Sequence, residues 1–117
     1  MGVGTLANFK APFDFHEVDP ATKRYVPITD PVRRAEIGRQ ISPITHVSAD
    51  DPPMLIIHGD ADKLVPIQQA ELIVARCKAE GVNVNLVVKA GAAHGWTTMG
   101  EDLKTIADWF DKHLAAK

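Results

Sequence analysis

A short, uninterrupted apolar run places the strongest constraint on how this chain can fold. Met54 to Ile57 are four large apolar residues in succession, preceded by Pro52 and Pro53 and followed by His58 and Gly59. Apolar residues do not alternate with polar ones in this run, which favours a strand covered on both faces, as in a parallel sheet, over a half-exposed strand. Because parallel strands need a crossover connection between them, helices should flank this strand in the sequence.

The remaining patterns supply these helices and a second strand. We predict helices over residues 31–39, 66–80 and from about residue 98 onward, and strands over 54–58 and 82–88. Asp30 is the predicted cap of the first helix, and Gly81 the predicted terminator of the second. The order predicts an α/β protein with a short parallel sheet and right-handed crossovers. In the last helix one apolar stripe should face a core; it consists of Leu103, Ile106, Ala107, Phe110 and Leu114.

The N-terminal third follows a different pattern. No periodicity holds from Met1 to about Thr29, where prolines and aromatic residues are scattered. We therefore expect an irregular segment plus one helix over residues 1–40, and an α/β subdomain over residues 41–117.

Composition excludes several classes of function. The 13 Lys and Arg residues are balanced by 15 Asp and Glu residues, for a formal charge of −2, and no basic run suggests nucleic-acid binding. No apolar stretch approaches the roughly 18 to 20 residues of a membrane span. No signal peptide is visible at the N-terminus, so we expect a soluble protein, cytoplasmic by default. The single cysteine, Cys77, excludes an internal disulfide framework.

Two polar loops follow the two predicted strands, and both should lie at the carboxyl edge of the sheet, where α/β proteins bind ligands. The first contains Asp60 and Asp62, and the second contains His94 among small residues. A carboxylate on one ring nitrogen of His94 would fix the tautomer and leave the other nitrogen as a general base. The alternatives are acidic residues that only cap turns, and a metal site that includes His58. No metal-binding spacing such as His-Glu-x-x-His supports the latter, and we expect no metal.

Together these segments resemble the C-terminal part of an α/β-hydrolase. The resemblance is to the esterase/lipase and dienelactone-hydrolase-like group, which shades into prolyl-oligopeptidase-type catalytic domains. It implies a C-terminal fragment of that fold, with a short parallel sheet flanked by helices. The matching segments are residues 42–44 (SPI), 52–62 (PPMLIIHGDAD), 65–66 (VP), 91–96 (GAAHGW) and 107–114 (ADWFDKHL).

The resemblance also implies roles for individual residues. Asp62 matches the acid of the catalytic triad, with Asp60 as the second choice, and His94 matches the base. Trp96 would lie near the substrate, whereas His58 would be structural. The implied reaction is hydrolysis of a small ester without metal or organic cofactor, and the alternative is a prolyl-oligopeptidase-type serine peptidase.

The nucleophile departs from the family pattern. The family places its serine in Gly-x-Ser-x-Gly, but the two serines here, Ser42 and Ser48, have no such context. Cys77 is predicted to face inward on a helix and is no substitute. We therefore predict that this chain has no nucleophile and is inactive alone.

Three explanations follow from the missing nucleophile. The chain is a C-terminal piece of a longer hydrolase, which we favour, or it pairs with a chain that supplies the serine. The third possibility is a non-catalytic binding or assembly module. Exposed strands should in addition promote a homo-oligomer or recruit a partner chain.

Overall fold

The structure, a computed structural model, describes residues 15–115. The chain divides into two compact units between His46 and Val47. The predicted division after residue 40 would fall inside a helix, six residues before the observed one.

The described part of the first unit begins with a small antiparallel hairpin. Strands β1 (His16–Val18) and β2 (Tyr25–Pro27) pair with His16 opposite Pro27. In the connecting turn, Asp19 Oδ1 accepts hydrogen bonds from the backbone NH groups of residues 21 and 22 at 2.7 and 3.1 Å. The hairpin takes the place of the predicted irregular segment, because strands of three mostly exposed residues are too short to show a period. Residues 1–14 of that predicted segment lie outside the described residues.

Helix α1 (Pro31–Ile41) follows the hairpin and extends two residues beyond the prediction. Asp30 caps it as predicted, since its side chain accepts hydrogen bonds from the NH groups of Val32 and Arg33. Ser42, the C-cap residue, is already extended, because it precedes Pro43 and a proline disfavours a helical conformation in the residue before it. A 310 turn, Pro43–His46, completes the unit.

The second unit contains the predicted parallel pair. Strand β3 (Met54–Gly59) and strand β4 (Val84–Lys89) pair in register, from Met54 opposite Val84 to Gly59 opposite Lys89. Helix α2 (Gln68–Ala79) makes the crossover between them. The predicted α/β class and its short parallel sheet are therefore confirmed.

The end of α2 explains how the chain turns back into β4. Gly81 has a φ of +77°, a left-handed conformation that glycine adopts without steric cost. Its NH donates to the carbonyl of Lys78, and the NH of Val82 donates to that of Cys77 at 2.8 Å. This pair of hydrogen bonds is the Schellman motif, and it confirms Gly81 as the helix terminator.

A small core lies between α2 and the sheet. Val47, Cys77 and Val82 are buried, and partly buried apolar side chains pack around them: Met54, Ile73 and Val84. Cys77 is completely inaccessible, as its inward-facing position predicted. The apolar run of β3 is only half-buried, contrary to the expectation of full cover, since a two-stranded sheet has little surface to be covered.

The last helix corrects a prediction. A 310 turn, Met99–Glu101, leads into α3 (Asp102–Leu114), whose apolar stripe was expected to face a core. Instead Leu103, Phe110 and Leu114 are 65%, 54% and 73% exposed. The stripe faces β3 across an open groove, which Ile106, Trp109 and Phe110 line together with Met54, Leu55 and Ile57. None of the helices within residues 15–115 is long and apolar enough to cross a membrane.

Candidate active site

The two polar loops meet at the carboxyl ends of β3 and β4. Parallel strands end at the same edge of a sheet, so the segments 60–67 and 90–98 leave the sheet side by side. Backbone hydrogen bonds join them directly. The NH of Ala61 donates to the carbonyl of Ala92 at 2.9 Å, and the NH of Asp60 donates to the carbonyl of Lys89 at 3.2 Å. The first segment carries the predicted acid, and the second carries the predicted base.

Gly59 allows this close approach. A Cβ atom at this position would overlap the backbone carbonyl oxygens of Ala92 and Ala93. The absence of a side chain at the end of β3 therefore lets the histidine-bearing segment lie directly against it.

Both carboxylate oxygens of Asp62 accept hydrogen bonds. Oδ1 accepts hydrogen bonds from the NH groups of Leu64 and Val65, both at 2.9 Å, which closes a turn around the carboxylate. Oδ2 lies 2.9 Å from His94 Nδ1, and the side chain is 4% exposed. Burial acts to raise the pKa of Asp62, but the Val65 and Leu64 NH groups together with His94 outweigh it, so the pKa lies below its ordinary value. The carboxylate form is therefore the stable one.

His94 presents one nitrogen to Asp62 and leaves the other available. A carboxylate can only accept a hydrogen bond, so Nδ1 carries the proton in this pair. Nε2 has no hydrogen-bond partner within residues 15–115, and the side chain is 59% exposed. The free lone pair on Nε2 can accept a proton from a neighbouring hydroxyl.

His58 braces the turn that holds Asp62. Its Nε2 donates to the carbonyl of Val65 at 2.8 Å and lies 3.5 Å from Asp62 Oδ2. The resemblance implies a structural role for His58, and these contacts are with the turn that carries the proposed acid.

Asp60, the second-choice acid, has a different contact. Its Oδ1 accepts a hydrogen bond from the NH of Gly91 at 2.6 Å, and it forms no hydrogen bond with His94. Asp60 thus ties the two segments together through a side chain.

A second polar cluster follows His94 in the chain. Trp96 Nε1 donates to Asp102 Oδ2, and Lys89 Nζ contacts Asp102 Oδ1, both at 2.8 Å. The resemblance implies a place near the substrate for Trp96 but no role for Lys89 or Asp102. In the sequence, Lys89 is only a charged residue at the end of a strand and Asp102 one at the start of a helix. Both placements are common in soluble proteins, so neither indicates a contact.

A cavity of about 220 Å³ adjoins the imidazole of His94. Trp96 and Met99 line it together with His94, Asp62 and residues of β3. The cavity therefore has an apolar wall beside a histidine whose Nε2 is free.

The two serines and the single cysteine have other surroundings in the structure. Ser48 donates its hydroxyl to Asp50 at 2.6 Å, Ser42 lies at the end of α1 in the first unit, and Cys77 is buried in the core. Within residues 15–115, no three His, Cys, Asp or Glu side chains are arranged to hold a metal ion.

The parallel strands, the crossover helix and the two loops are the C-terminal part of an α/β-hydrolase fold, of the type found in esterases and lipases. The sequence profile of the prolyl oligopeptidase family matches residues 7–117. The chain belongs to this family.

Individual relatives include both esterases and a peptidase. The chain is 38% identical to esterase LipC of Mycobacterium tuberculosis over 65 residues, which are 55% of this chain and 16% of LipC. It is 34% identical to the uncharacterized peptidase YuxL of Bacillus subtilis over 79 residues, 62% of this chain and 12% of YuxL.

A solved structure is similar in fold as well as in sequence. The truncated form of a carbohydrate esterase from gut microbiota matches with a TM-score of 0.64 and 33% identity. The match covers 72% of this chain and 30% of that esterase. The chain thus spans less than a third of the length of each of these three proteins.

Proposed function

We propose that this chain supplies the acid and the base of a serine hydrolase that acts on carboxylic esters. The observation that carries the proposal is the 2.9 Å contact between Asp62 Oδ2 and His94 Nδ1, with His94 Nε2 free beside a cavity. This arrangement prepares a neutral imidazole to remove a proton from a hydroxyl group.

The reaction needs a serine from outside this chain. His94 Nε2 would take the proton of that serine as its Oγ attacks the ester carbonyl, and then give it to the leaving alcohol. Water would hydrolyse the acyl-enzyme by the same route in reverse. Asp62 would hold the imidazole in its orientation and stabilise the imidazolium that forms, while remaining a carboxylate.

Two features support esters as the substrate class. LipC and the carbohydrate esterase are both named as esterases, and the cavity beside His94 has an apolar wall suited to an acyl or alkyl group. A serine peptidase of the prolyl-oligopeptidase type is the second candidate, which the family match and the similarity to YuxL favour.

The test requires a complete hydrolase that contains this chain. We expect His94→Ala and Asp62→Asn each to reduce kcat by about 10⁴-fold, because each removes a function that the other residues cannot replace. Hydrolysis of p-nitrophenyl acetate and butyrate, compared with a proline-containing peptide anilide, measures this loss and separates esterase from peptidase.

Asp60→Asn distinguishes the two candidate acids, since asparagine can still accept the hydrogen bond from Gly91. We expect it to retain most of the activity. Wild-type rates in both Asp62→Asn and His94→Ala would eliminate the proposal, and a large loss in Asp60→Asn alone would transfer the acid role to Asp60.

The isolated chain provides a complementary test. Because neither serine has the Gly-x-Ser-x-Gly context, we expect no labelling of the 117-residue chain by a fluorophosphonate probe, whereas the complete hydrolase should be labelled. Labelling of Ser42 or Ser48 in the isolated chain would contradict the missing nucleophile. A chain that is never labelled, even within the longer protein, and that captures a specific partner would support the binding or assembly module instead.

A further inference from the structure

We propose that Asp102 is a positioning residue for His94. Its two carboxylate oxygens hold Trp96 Nε1 and Lys89 Nζ, and thereby determine the path of the segment that carries the imidazole to Asp62. This inference rests on the proposed pairing of Asp62 with His94.

The side chains around His94 are too small to make many contacts that could hold the segment in place. Residues 90–95 are alanine and glycine except for His94. Before His94, the segment is fastened to the neighbouring loop by Gly91, whose NH binds Asp60, and by Ala92, whose carbonyl accepts the NH of Ala61. The position of His94 therefore also depends on what holds the chain after it.

After His94, the backbone hydrogen bonds are local. The NH of Met99 donates to the carbonyl of Trp96, and that of Glu101 to Thr98. These bonds close turns but do not connect the segment to the sheet. The indole of Trp96 makes that connection, through Asp102 to Lys89 at the end of β4.

The burial and the charge of Asp102 suit it to hold Trp96 and Lys89 together. The residue is 7% exposed, and each carboxylate oxygen receives one donor at 2.8 Å. Lys89 and then Trp96 lower the pKa of Asp102 against the opposing effect of burial, so the carboxylate that accepts both bonds is the stable form. Lys89 Nζ also lies 5.9 Å from the centre of a Trp96 ring, which gives these two donors a second contact.

Asp102→Asn is the decisive substitution. Asparagine has one acceptor oxygen and one NH₂ group, whereas both partners of Asp102 are donors, so one of the two bonds must be lost. Asp108→Asn is the matched control, because Asp108 lies on the same helix and, among the described residues, pairs with the exposed Lys104 alone. Trp96→Phe is a second variant, which keeps an aromatic ring and the pair between Lys89 and Asp102 but removes the indole donor.

The measurement is NMR of the 117-residue chain with ¹⁵N-labelled histidine and tryptophan. In wild type we expect a downfield Nδ1 proton for His94, which marks its hydrogen bond to Asp62. In Asp102→Asn we expect the Trp96 indole NH to exchange about tenfold faster and the His94 signal to broaden or lose intensity. Trp96→Phe should weaken the His94 signal as well, and Asp108→Asn should leave both signals unchanged.

The outcomes separate the two proposals. An unchanged His94 signal in folded Asp102→Asn and Trp96→Phe would overturn the positioning role and leave the pair of Asp62 and His94 intact. Absence of the signal in wild type would instead argue against that pair itself, and the positioning role would fail with it. If Asp102→Asn does not fold, as circular dichroism would reveal, Trp96→Phe decides the question.

Discussion

The carboxylate of Asp62 shows how much one side chain does at this site. One oxygen closes the turn over Leu64 and Val65, while the other faces His94. The loop conformation and the chemistry therefore depend on the same residue. The sequence predicted that a carboxylate would meet His94, because both loops follow parallel strands, but it did not predict which atoms make the 2.9 Å contact.

The pH dependence of stability follows from the same carboxylate. The pKa of Asp62 in the folded chain lies below its ordinary value of 3.8. Between these two values the unfolded chain binds more protons, so stability falls as the pH is lowered through this range. We expect the full contribution of Asp62 above pH 3.8 and a lower urea midpoint below it.

Asp62→Asn tests this dependence, because asparagine carries no titrating group. We expect the variant to show a shallower loss of stability on acidification than wild type. Asp108→Asn serves as the control, since it removes an exposed carboxylate from the same unit. Identical pH profiles for Asp62→Asn and wild type would contradict the lowered pKa.

The helices and strands were largely predictable because their signals are local. The parallel strands lie within two residues of their predicted starts, and Asp30 and Gly81 bound helices as expected. The β1–β2 hairpin was missed because each strand has only three residues. The last helix has the predicted stripe, but periodicity states only which residues share a face and not what covers it.

The last residue of β3, Gly59, allows the two loops to approach each other closely. Gly59→Ala would force a Cβ atom against the carbonyls of Ala92 and Ala93, so the two loops must separate. We expect a loss of about 1–3 kcal/mol in the free energy of unfolding, measured by urea denaturation, together with weakening of the His94 Nδ1 signal.

Gly100→Ala is the matched control for Gly59→Ala. A Cβ atom at Gly100 meets nothing within 4 Å. We expect its stability to change by no more than about 1 kcal/mol, in the favourable direction. Equal changes in the free energy of unfolding from the two substitutions would show that the close approach at Gly59 does not determine the loss of stability.

The second unit leaves much of its apolar and hydrogen-bonding surface open. Within residues 15–115, β3 and β4 each have one edge without a strand partner. The apolar side chains of Leu103, Phe110 and Leu114 are exposed on α3. Open edges and apolar faces of this kind favour association with another chain.

We therefore expect the isolated chain to self-associate. Sedimentation velocity over a concentration series should show dimers or larger species that dissociate on dilution. Phe110→Lys should shift the equilibrium toward monomer, because a buried charge opposes association. Thr105→Lys adds the same charge to the same helix and should change it less, and a monomer at all concentrations would refute the expectation.

The amino-acid sequence predicted the α/β class, the order of the elements from α1 onward, and the proposed acid and base. These depend on local apolar patterns, on turn residues and on motifs that lie within a few positions of one another. Tertiary structure decided which oxygen of Asp62 meets which nitrogen of His94, that Asp60 binds Gly91 instead, and that Asp102 joins Trp96 to Lys89. It also decided that most of the stripe on α3 is exposed. Such contacts depend on how two loops and a helix are placed in space, and residues far apart in the chain carry no local signal of that placement.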